Sequence, residues 1–195
     1  MNGLGMIICK NAKLKILDAA SELFYIYGIS ATGVVPITKK AKVAKMSLYN
    51  NYESKSELIN DYLERTSKEW LALYEKKEKL IKTPVDGIIS IFLTYEEIFN
   101  QKYKKNFKGC CLINAAAEFE TGSREREKIR KQKKFIEGLI TKYLREIYEN
   151  SEIIERKSLH LSFLLEGALV SAGLNNDIGK IKNAREMVIE ILSST

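Results

Sequence analysis

Proline occurs only twice in 195 residues, at Pro36 and Pro84, so almost the whole chain is free to continue a helix once one has started. Its apolar residues recur every three or four positions, the period of a helix with one buried face. Over residues 11–27, Leu14, Leu17, Ala20, Phe24 and Tyr27 trace such a face, and Gly28 follows as a stop. No segment alternates for long enough to make a useful strand, and Leu, Ile, Ala, Lys and Glu dominate. The expected class is therefore all-α, with about nine helices, and 45% hydrophobic residues are ample for a core.

The first three helices are short enough to form a unit of their own. A second helix is expected over residues 34–42, where Pro36 falls in a first turn that has no intrahelical use for its N–H. A third, over 45–52, is anchored by Leu48 and Tyr52 and turns Ser47, Asn50 and Asn51 elsewhere. Ser54, with Glu57 three residues on, reads as the cap of a long fourth helix reaching about residue 79. Thr83 before Pro84 starts the fifth. The small-residue stretch CCLINAAAEF gives a sixth, and Ser123 opens a charged seventh that runs to about Asn150. Residues 156–174 are so apolar that they read as a helix buried on nearly all sides, and the ninth covers about 181–192.

Charge separates the two ends of the chain. Residues 1–55 hold eight lysines against three acids, giving +5 of the net +7. A basic N-terminal third favours an anionic partner. The apolar run GLGMII is too short for a signal core, and no run approaches the ~18 residues of a membrane span, so no membrane partner and a cytoplasmic location are expected.

Two short helices joined by a tight link, inside a basic three-helix unit ahead of a larger helical body, read as a helix-turn-helix. Residues 13–60 resemble the N-terminal DNA-binding domain of the tetracycline-repressor (TetR) family. The resemblance rests on Ile16-Leu17, Ala19-Ala20, Leu23-Phe24, Gly28, Thr32, Ile37, Ala41, Val43, Leu48-Tyr49, Tyr52, Lys55 and Leu58 in register. It departs at Lys42, where a turn glycine is frequent, at Ala44, where a Ser cap is usual, at Met46, where glycine is common, and at Asn51, which replaces a frequent His. A left-handed Lys42 and an uncapped Ala44 would each cost about 1 kcal/mol.

The chemistry divides the candidate contacts into two kinds. Lys45, Met46 and Ser47, near the start of the third helix, suit major-groove base edges. Tyr49, Asn50, Asn51, Lys55 and Thr32 suit phosphates, as the resemblance also implies. The resemblance further implies a homodimer that binds double-stranded operator DNA, with residues 1–55 as the DNA-binding domain and 56–195 as a ligand-binding and dimerisation domain.

In that second part, Trp70, Phe92, Phe99, Cys111, Phe119, Phe163 and Glu166 are candidate contacts for a small-molecule effector. Leu161, Leu165, Ala168, Ala184, Met187, Val188 and Ile191 are candidates for a dimer interface. Glu166, mid-helix among apolar residues, requires a partner. No metal-ligand spacing, phosphate-cradling glycine loop or nucleophile pattern is present, so no metal, cofactor or catalytic residue is expected, and His160 reads as structural. Adjacent Cys110 and Cys111 diverge by about 100° on a helix and do not pair with each other. The expectation is a TetR-like regulator, a repressor released by an apolar or amphipathic ligand. Two other readings stay open: a ligand-binding or adaptor protein of the same fold without operator recognition, and a cysteine-based redox sensor.

Overall fold

A computed structural model of the chain describes residues 3–103 and 106–193, with side chains from residue 12 onward except at 103, so the Cys9 side chain lies outside the described residues. The described residues form nine α-helices and no strand. In order they are α1 (Gly3–Tyr27), α2 (Val34–Ala41), α3 (Lys45–Asn51), α4 (Lys55–Glu78), α5 (Pro84–Ile98), α6 (Cys111–Ala116), α7 (Arg124–Leu144), α8 (Ser151–Asn175) and α9 (Gly179–Ser193). A single π-helical turn, Phe99–Tyr103, extends α5.

Capping groups set several of these boundaries. The Thr83 hydroxyl accepts from the Asp86 N–H while the Asp86 carboxylate accepts from the Thr83 N–H, a complete capping box with Pro84 in the first turn. At α4 the box is displaced: Ser54 accepts from the Glu57 N–H, but Glu57 reaches back to the N–H of Glu53. Asn150, at which periodicity alone ends the seventh helix, instead caps α8, accepting from the N–H groups of Glu152 and Ile153. That cap starts α8 at Ser151, ahead of the apolar run that marks the helix in the sequence, and α7 stops at Leu144.

The chain divides into two compact units. The first holds the residues up to Thr66 together with Cys111–Arg126, so it extends beyond residue 55 and takes in α6. Here α1, α2 and α3 pack on one another around Ile16, Ala20, Phe24, Ile37 and Leu48, and Phe24 meets Tyr62 edge-on at 5.4 Å.

The second unit holds Ser67–Cys110 and the residues from Glu127 onward. Its α9 packs against α5 and α8. Trp70 stacks on Tyr74, whose hydroxyl lies 2.8 Å from that of Tyr143. Gly87 leaves room for the Tyr143 ring, which a Cβ there would meet at 2.4 Å. Gly173 of α8 lets the chain at Lys108 and Gly109 lie directly on the helix, since a Cβ on Gly173 would stand 2.4 Å from the Gly109 nitrogen. Glu166 finds its partner in Lys133 at 2.7 Å, with the Lys133 ammonium also beside the buried Tyr95 ring.

Candidate nucleic-acid interface

The link between α2 and α3 is built with Lys42 in the left-handed conformation, φ 54° and ψ 46°. Two backbone bonds close it: the Lys42 N–H donates to Lys39 and the Val43 N–H to Thr38. This reverses the chain within three residues and brings α3 onto α1 and α2. Ala44 then stands extended at the head of α3 with no side-chain hydrogen bond, so its carbonyl alone, accepting from Ser47, closes the first turn.

What holds α3 is narrow. Leu48 and Tyr52 are fully buried, and the Lys13 ammonium sits 4.8 Å from the centre of the Tyr52 ring. Burial and the neighbouring Asp61 carboxylate push the Tyr52 phenol well above its ordinary range, so it stays neutral. The opposite face is free of such ties. Lys45, Met46, Tyr49 and Asn50 are exposed and Ser47 half-buried, with Met46 at 70% exposure. Lys45 extends over the Tyr49 ring, 5.9 Å from its centre. Lys39 and Lys42 add exposed cations on the neighbouring helix and turn. A seven-residue helix with Leu48 buried beneath it, Tyr52 buried just past its end and this outer face can present hydrogen bonds and positive charge to a polyanion.

Three of the expected contact residues are placed differently. Thr32 is buried at 3% exposure, its hydroxyl donating to the carbonyl of Gly28. The Asn51 amide donates to the Ser47 carbonyl at 2.7 Å, and Lys55 donates to the Ile29 carbonyl at 2.7 Å. Each fastens the frame around α3.

The residues expected to meet an effector do not form one cluster. Trp70, Phe92 and Phe99 are buried in the second unit, whereas Cys111 and Phe119 belong to the first. Phe163 is 70% exposed and lines no interior space of this chain. Cys110 and Cys111 are free thiols. A cleft of about 340 Å³ opens between α7 and α8, walled by Thr141, Arg145, Ile154 and Ser158 among others, and it contains none of those candidates.

The expected dimer residues divide between the core and the surface of the chain. Leu161, Leu165, Ala168, Ala184 and Val188 are buried within the chain itself, because α8 turns that face towards α9 and the core. Only Met187 and Ile191 keep exposed surface. The outward apolar residues of α8 are Leu159, Phe163, Val170 and Leu174. At 100° per residue these four, with Gly167, fall within about 80° of one another, opposite the core face.

One residue of this frame had no signal in the sequence pattern. Glu118, just beyond α6, accepts from the N–H groups of Ile29 and Ser30 at 2.8 and 2.7 Å, in the turn between α1 and α2.

The comparisons with known proteins agree with this geometry. Residues 16–62 match the family described as bacterial regulatory proteins, tetR family. No curated protein sequence matches the chain. Among solved structures, a TetR-family transcriptional regulator from Streptomyces coelicolor superposes with a TM-score of 0.86 at 20% identity, over 94% of this chain and 95% of that one. A TetR transcriptional regulator from Legionella pneumophila gives 0.76 at 17% identity, over 91% and 95%. The reduced form of NemR from Escherichia coli gives 0.71 at 22% identity, over 91% and 95%. Residues 16–62 thus carry the sequence pattern of the tetR family of bacterial regulatory proteins, and nearly the whole length of the chain has the fold of the TetR-family structures.

Proposed function

We propose that this chain is a homodimeric repressor that binds a two-fold operator through α3 and leaves it when a small apolar or amphipathic molecule binds the second unit. The observation that carries the reading is the split character of α3: Leu48, and Tyr52 just past its end, are fully buried while Lys45, Met46, Tyr49 and Asn50 stand outside. A helix that only covers a core has no need of that outer set. Lys45, Met46 and Ser47 read base edges, and Tyr49 and Asn50 grip phosphates. Thr32, Asn51 and Lys55 hold the reading head in shape. Residues 1–55 supply the DNA-binding part and residues 56–195 the dimer and the effector site.

The dimer forms through the outward stripe of α8, Leu159, Phe163, Val170 and Leu174, flanked by Met187 and Ile191 of α9. Four large apolar side chains aligned on one exposed helix face favour burial against a two-fold copy. For the effector, three buried polar atoms in the second unit, Trp70 Nε1, Ser162 Oγ and Glu166 Oε2, have no hydrogen-bond partner, and the first and last of these lie among the expected contacts. A ligand offering an acceptor to Trp70 and a donor to Glu166 would satisfy both.

Selecting bound duplexes from a random pool, with and without cell extract, tests recognition and release together. A preferred two-fold sequence, lost in extract, is expected. Against that sequence, Lys45→Ala should change base preference, and Tyr49→Ala should weaken all sequences alike. Binding no stronger to selected than to random duplexes would refute the reading and favour a protein of this fold without operator recognition.

A further inference from the structure

The Ile29 peptide is clamped from both sides. Its N–H donates to Glu118 Oε1 and its carbonyl accepts from Lys55, while the Ser30 N–H donates to Glu118 Oε2. Gly28, at φ 91°, completes the seat, since a Cβ there would press on the Glu118 carboxylate at 3.1 Å. The carboxylate therefore takes up both amides of a turn that would otherwise leave them to water. Burial alone would raise its pKa, but the Ser30 and Ile29 amides, the Ser30 hydroxyl and the Lys55 ammonium together hold it below the usual range.

The turn so held is the one that aims α2. Thr32 hangs from Gly28 by its hydroxyl, and α2 begins two residues later, after an extended Gly33 with no side-chain cap. Glu118 itself is fixed by the end of α6, where its N–H donates to Ala115, and by Arg126, which donates to the carbonyl of the next residue, Phe119. Its segment, Cys111–Arg126, continues at both ends into the second unit, and Gly109, two residues before α6, is seated against Gly173 of α8.

We propose that Glu118 is a positioning residue for operator binding, a latch by which the α6 segment holds the α1–α2 turn in the shape that lets α2 and α3 dock. The proposal rests on the DNA-binding reading above. Losing the latch spreads the turn over several shapes, of which only a fraction can dock, and apparent affinity falls by that fraction. Charge alone predicts the opposite sign, because deleting a carboxylate from a unit that meets DNA should tighten binding.

Wild type and Glu118→Gln, as full-length protein, are titrated against a duplex selected by the wild type, over a range of salt. Gln keeps the length of Glu but offers one acceptor oxygen in place of two, so one amide loses its partner. The expected result is about tenfold weaker binding with an unchanged salt slope, together with faster amide exchange at Ile29 and Ser30 but not at the core residue Ile37. Unchanged or tighter binding by a folded Gln variant would overturn the latch, and so would a changed slope, which would mean that Glu118 acts through its charge on DNA. If the Gln variant fails to fold, Glu118→Asp, which keeps the charge and shortens the reach, is put to the same measurements. If the wild type itself prefers no duplex, the operator reading fails first and this inference with it.

Discussion

Replacing Lys42 by glycine should make the protein more stable. Lys42 carries a Cβ in the left-handed region, at φ 54° and ψ 46°, where an L side chain crowds the following carbonyl at a cost of about 1–2 kcal/mol. Glycine removes that cost but gains freedom in the unfolded chain worth about 0.5–1 kcal/mol. The net gain is about 0.5–1 kcal/mol, or roughly 1–4 °C in Tm for a chain of this size. The two bonds that shape the turn come from backbone N–H groups, so glycine keeps both. Lys42→Ala is the control, since it removes the ammonium and the stem but retains the Cβ. The difference between Gly and Ala variants, measured by circular dichroism melts at one protein concentration, isolates backbone strain from charge. A Gly variant no more stable than the Ala variant would show that the turn is not strained and that the departure at residue 42 costs nothing.

Gly173→Ala should lower stability by about 1–3 kcal/mol, because the new methyl meets backbone that cannot swing aside, whereas Gly138→Ala, at an exposed position of α7 with nothing within 4 Å, should raise it by up to about 1 kcal/mol; equal denaturant midpoints would contradict the packing argument. Phe163→Glu should convert the dimer to monomer in light scattering without loss of helix, and a dimer of unaltered strength would refute the outward face of α8 as the interface. The depressed pKa of Glu118 means that its stabilisation is complete above the ordinary glutamate range near pH 4.3 and is lost as pH falls through the lower folded value. Glu118→Gln should therefore flatten the acid limb of amide exchange at Ile29 and Ser30, and an identical limb in the variant would show that the carboxylate does not hold them.

What the sequence revealed was local. The strain at Lys42 and the missing cap at Ala44 follow from neighbours within a few residues, and both are present in the structure. The need of Glu166 for a partner was legible too, because a carboxylate in an apolar helix demands one, although only the fold names Lys133. The face of α8 was not legible in the same way. Its core residues, Leu161, Leu165, Leu169 and Ala172, and its outward ones, Leu159, Phe163, Val170 and Leu174, are equally apolar, so periodicity sees a helix buried all round. Only the placement of α9 against α8 decides which stripe the chain uses for its own core and which it leaves exposed.

Glu118 marks the limit more sharply. In sequence it ends a run of small residues, with nothing to set it apart from other surface acids, and its acceptor role depends on amides 88 and 89 residues away. Those amides are anonymous as well, for a backbone N–H carries no sequence signature. Two other members of the arrangement do stand out locally, Gly28 as a helix stop and Lys55 as a basic residue at the start of α4. The structure gives each a second role. Gly28 makes room for the carboxylate, and Lys55 holds the carbonyl of the peptide whose N–H the carboxylate holds. A residue type assigned from the sequence to phosphate contact thereby donates inward, to the turn that leads into α2. On that account Lys55→Met should weaken operator binding while leaving the salt slope as it was, since no phosphate contact is lost; a slope reduced by about 0.9 would restore Lys55 to the DNA surface.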